Sequence, residues 1–154
     1  MSGMLKLIAE DAADLDIIAA AAQDALLRVG DVSYDKKARR FAALINRFRW
    51  EQTGEKGPFE RVRSALSFEG VLSVKSRKVR MDAPDAVASL LSVSFMPDAE
   101  PPGGNVRLVF AGGGEIAHEV ECLDALLMDM GPAWRTPRRP ESAMPWIAAS
   151  ECSG

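Results

Sequence analysis

Reactive side chains are scarce in this chain: among 154 residues there are two cysteines, one histidine and one tyrosine. Cys122 and Cys152 are too few and too far apart for a disulfide framework or a zinc ribbon. His118 is the only imidazole available to a catalytic triad, and no Gly-x-Ser-x-Gly elbow accompanies it. Long apolar runs are missing too, since none approaches the ~20 residues that cross a bilayer. The stretch "MSGMLKLIAEDAADLDIIAAAAQD" is interrupted by Glu10, Asp11, Asp14 and Asp16, which excludes a secretory h-region. A reducing cytoplasm is the expected location, without a membrane span. No repeat at fixed spacing is present.

The 47% hydrophobic and 27% charged fractions are those of a soluble globular protein. The length suits one domain, placed at residues 1–134, with a proline-rich tail at 135–154. The net charge of −3 conceals a division. Between Lys36 and Arg80 there are 13 Lys/Arg against 4 Asp/Glu, a local +9, which leaves 6 basic and 18 acidic residues elsewhere, −12. Such polarity bears on partner choice and on self-association.

Periodicity divides the chain into elements. Asp11 or Asp14 can cap a helix running to about Leu26, with Leu15, Ile18, Ala22 and Leu26 as its apolar stripe. Seven segments with strand character follow: "LRVGDVSY", "RRFAALINRFRW", "FERVRSALSF", "VLSVKSRKVR", "SLLSVSF", "NVRLVFA" and "IAHEVE". Gly30 marks a bulge in the first, and "EQTGEKGP" is a polar loop. In "CLDALLMDMGPAW", Leu123, Leu126, Leu127 and Met130 fall at i, i+3, i+4 and i+7, which predicts a second helix stopped by Gly131 and Pro132. Trp134 and Trp146 are candidates to pack back on the domain. The expected fold is mainly β with two helices (α+β): a curved antiparallel sheet or barrel of about seven strands, pleckstrin-homology-like, with an additional N-terminal helix and a C-terminal capping helix. The alternative is an open antiparallel sheet carrying both helices on one face.

The stretches "VGDVSYDKKARRFAALINRFRWE", "GVLSVKSR" and "GGNVRLVFAGGGEIAHEVECLDALLMDMGPAW" resemble an uncharacterised alphaproteobacterial family of small proteins, a domain-of-unknown-function family. The resemblance covers most of residues 5 to 134. It implies a bacterial, single-domain protein and brings no activity, cofactor or catalytic residue with it.

The segment "FAGGGEIAHEVEC" concentrates glycines, carboxylates, a histidine and a cysteine. A phosphate loop places its glycines between a strand and a helix, whereas Gly112–Gly114 separate two strand patterns and form a hairpin. In a strand, Ile116, His118, Val120 and Cys122 share one face and Glu119 and Glu121 the other, so the ligands do not converge on a metal. No metal or other cofactor is expected. His118 is expected to be structural and hydrogen-bonded, and Cys122 buried and inert. The basic strands supply the site candidates. Arg47 and Arg49, Arg61 and Arg63, and Lys75 and Arg77 occupy alternate positions, so adjoining strands can merge them into one solvent-facing patch for phosphate, carboxylate or an acidic peptide. Lys37 followed by Arg47-Phe48-Arg49 is similar to the basic pattern of lipid-binding pleckstrin domains. The expected function is a non-catalytic interaction module binding an anionic protein or ligand. The alternatives are an enzyme with a pocket around His118 or a weak nucleic-acid binder. A sequence pI of 5.3 and few aromatics for base stacking speak against nucleic acid.

Overall fold

The structure, a computed structural model, describes residues 4–52 and 59–137. In chain order it comprises β1 (Lys6–Ala9), α1 (Ala12–Ala21), β2 (Leu26–Asp35), β3 (Arg40–Phe48), β4 (Glu60–Phe68), β5 (Val71–Arg77), β6 (Val87–Pro97), β7 (Gly104–Phe110), β8 (Glu115–Val120), β9 (Ala125–Asp129) and β10 (Trp134–Arg135), with a 3-10 turn at Trp50–Gln52. The architecture is mainly β with one α-helix among the described residues. Every strand pair is antiparallel, in the order β1-β9-β4-β3-β2-β6-β7-β8-β5, and β10 continues alongside β4. The path is open, with β1 and β5 at its ends.

All seven segments with strand character in the sequence are strands, β2 to β8. Alternation dictates their inner rows. Phe41, Ala43 and Ile45 of β3 lie opposite Phe68, Leu66 and Ser64 of β4, and Leu66 lies opposite Leu127 of β9. Val106, Leu108 and Phe110 of β7, with Ile116 and Val120 of β8, supply the inner row of the other half. β2 pairs with both β3 and β6, and there the sheet turns over so that its two halves enclose one core. The β2–β3 register shifts between Leu27 and Val32, around Gly30, as expected of a bulge. Asp11 caps α1 by accepting a 2.8 Å hydrogen bond from the Asp14 N–H, and Leu15, Ile18 and Ala22 enter the core. Leu26 lies beyond the helix, on β2.

Three elements differ from the sequence expectation. β1 precedes the helix, and its four residues are too few to display a period. β10 is a two-residue strand. The predicted C-terminal helix is β9: Ala125, Leu127 and Asp129 alternate into the interior, while Leu126 and Met128 face outward. Gly131, at φ +86°, ends this strand instead of a helix. The capping helix of the pleckstrin-homology-like arrangement is therefore a strand. The "GGGE" stretch is the β7–β8 hairpin loop, with Gly112 and Gly113 at φ +91° and +95°, where a side chain would be strained. Residues 53–58 of the polar loop, and residues 138–154 of the tail with Trp146 among them, lie outside the described residues.

Candidate interaction surface

The inner row of β3 does not end at Ile45. Continuing it by two residues places Arg47 inside, where it is 0% exposed, and that corrects its expected solvent position. Its guanidinium forks onto Asp129 of β9 (Nε–Oδ1 2.7 Å, Nη2–Oδ2 2.8 Å) and onto Glu51 (2.7 and 3.0 Å). The Ser64 hydroxyl and the Leu5 N–H donate to the remaining lone pairs of Asp129 at 2.7 and 2.9 Å. Burial alone would lower the Arg47 pKa, but hydrogen bonds and charge from Asp129 and Glu51 outweigh it, and the net shift is upward. Burial likewise opposes ionisation of Asp129, and its bonds from Arg47, Ser64 and Leu5 override that, so its pKa is lowered. Arg49 is also buried, against Glu60 at 2.6 Å, a second correction. This cluster ties β1, β3, β4 and β9 together and has no free donor fork for a ligand.

Arg61 and Arg63 do lie on the outer face of β4, half-buried. Arg61 donates to the Asn46 carbonyl at 2.8 Å, its guanidinium carbon 5.9 Å from the centre of the Phe48 ring, and burial lowers its pKa. Arg63 is held by Asp31 at 3.2 Å. Lys75 and Arg77 are exposed on β5, in the other half of the folded sheet, whose outer face points away from that of β4. The six basic residues therefore do not form one patch. Lys75 and Arg77 instead join a residue the sequence reading passed over: Arg107 of β7 shares a row with Lys75 through Ala117 of β8. Among the described residues Glu115 is the one carboxylate bound to this group, paired with Arg107 and, at 3.8 Å, with Arg77.

His118 sits at the centre of the enclosed core, 0% exposed, with its ring centroid 4.0 Å from Phe41 and 5.1 Å from Phe68. Neither ring nitrogen has a hydrogen-bond partner among the described residues, contrary to the expectation of a satisfied histidine. Desolvation pulls its pKa down to about 3, so it is neutral at physiological pH. Cys122 is exposed, beyond the end of β8, and not buried. No group of three or more His, Cys, Asp or Glu side chains converges among the described residues.

The other notable surface is apolar. On the outer face of β1 and β9, Ile8 is 58% and Met130 43% exposed, with Met128 and Trp134 also open to solvent. Registry makes them neighbours: Ile8 lies opposite Leu126, Met128 opposite Ala65, and Trp134 opposite Arg61. The small Ser67 and Ala125 leave a hollow of about 220 Å³, bordered by Lys6, Ile8, Glu69, Asp124 and Leu126. The sequence held this signal in a misleading form. β9 is apolar on both faces, so its alternation was hidden and its leucines matched a helical stripe.

The fold and its surfaces define a mainly-β domain built on one ten-stranded antiparallel sheet. The family described as "Protein of unknown function (DUF2948)" matches residues 5–142, and the chain belongs to it. No curated protein and no solved structure matches the chain.

Proposed function

We propose that this chain is a non-catalytic interaction module that docks a protein on the outer face of β1, β9 and β4. One observation carries this: Ile8, Leu126, Met128, Met130 and Trp134 adjoin on a sheet face with no second layer over it among the described residues. Contiguous exposed apolar surface is costly to solubility and marks contact sites, and methionine adapts its shape to a partner. The interior offers no rival, because Arg47 is fully engaged and His118 is sealed between two aromatic rings. The test is affinity capture with wild type and Met128→Glu at equal folded concentration. The module reading expects proteins retained by wild type and lost by the variant. Equal capture by both, with self-association unchanged as well, would remove the face from consideration.

A second reading is favoured by the β5–β8–β7 face, where Arg77 and Arg107 share the Glu115 carboxylate and Lys75 is exposed beside them. That surplus of positive charge suits an anionic protein or ligand. Binding there should weaken as salt rises and vanish in Lys75→Glu/Arg107→Glu. Arg61 and Arg63, already engaged with Asn46 and Asp31, should not contribute.

A further inference from the structure

The apolar face carries charges that complement one another. Lys6 and Asp124 border the same 220 Å³ hollow, yet neither charged group has a partner among the described residues. A surface for a foreign partner needs only to match that partner's charge. A surface bearing a cation and an anion, both free among the described residues, beside the same apolar hollow is complementary to itself. Under a two-fold axis each copy brings its cation to the other's anion, since an isologous contact pairs every residue i–j with j–i. The shapes also complement each other: the hollow has room for one large side chain, and the flexible Met128 projects from the same face. Glu69, at the hollow's rim, is already held by Arg40 at 2.6 Å, which leaves Asp124 as the rim's unengaged acid among the described residues.

We propose that the occupant of this face is a second copy of the chain, with Lys6 of one protomer meeting Asp124 of the partner subunit and Met128 entering the partner's hollow. This rests on the face being a docking surface, and adds the identity of what docks. The pair is a symmetric homodimer that buries Ile8, Leu126, Met128 and Met130 from both copies.

Sedimentation equilibrium of the full chain, from about 1 µM to about 1 mM, tests it. Wild type should show a monomer–dimer equilibrium. Lys6→Glu gives a face with two anions and Asp124→Lys one with two cations, so each variant alone should dimerise at least about tenfold more weakly. An equimolar mixture of the two should recover wild-type affinity, because both heterologous contacts become attractive. Both positions lie at the surface, and circular dichroism checks that the variants fold. A monomeric wild type, a dimer indifferent to Met128→Glu, or a mixture no tighter than its components would each overturn the second copy as occupant. A monomeric wild type whose captured proteins are still lost in Met128→Glu would mean that the face docks a different chain. If Met128→Glu changes neither assembly nor capture, the docking surface itself is refuted.

Discussion

Asp129 is where the inner face depends most on a single side chain. Four donors converge on it: two N–H groups of the Arg47 fork, the Ser64 hydroxyl and the Leu5 N–H. Removing one member leaves buried charge uncompensated, so Asp129→Asn should destabilise by roughly 3–5 kcal/mol in chemical denaturation. Replacing both partners, as in Arg47→Met/Asp129→Leu, should cost far less, because the desolvation penalty of both charges disappears as well. His118 gives a prediction in pH. The unfolded chain binds its proton near 6.5 and the folded chain only near 3. Between those values the unfolded state holds more protons, so stability falls as pH is lowered, by about 1.4 kcal/mol per unit. The carboxylates with lowered values, Asp129, Glu51, Asp31 and Glu115, give up their contribution only below their ordinary 3.8 to 4.5. The loss from about pH 6.5 to about pH 5 therefore belongs to His118, and thermal melts of His118→Leu should be nearly flat across that range. The burial of Arg47 was legible in principle, since the row Phe41, Ala43, Ile45 points to it. Its buried partner Asp129 lies 82 positions along the chain, and nothing local to either residue announces that pair.

At the scale of elements, the seven central strands were legible because each alternates against a polar face. β9 was not, because Leu126, Met128 and Met130 make its outer face as apolar as its inner one. The helix and strand assignments differ in a way that mutation reads directly. On the predicted helix, Leu126 and Leu127 share one stripe and should be equally costly to truncate. On β9, Leu127 is 0% exposed in the core, whereas Leu126 faces outward. Leu127→Ala should cost about 2–5 kcal/mol, and Leu126→Ala less than about 1.5 kcal/mol, by urea denaturation. Equal losses would restore the helix.

At the scale of the molecule, the fold turns its sheet around one core and leaves two outer faces of opposite character, one apolar and one basic. The sequence showed that basic residues recur on strands. It did not show which strands share a face, because β4 and β5 are consecutive in the chain and yet stand far apart in the strand order. The central claim is that the outer face of β9 meets the same face of a second copy, and the methionines report on it. Met128 and Met130 lie on that face, while Met81 and Met96 are exposed elsewhere. Methyl NMR of methionine-labelled protein over a dilution series measures each position separately. The expected result is that the Met128 and Met130 methyl signals move together with concentration while those of Met81 and Met96 stay fixed. Stationary Met128 and Met130 signals, or movement confined to Met81 and Met96, would contradict it.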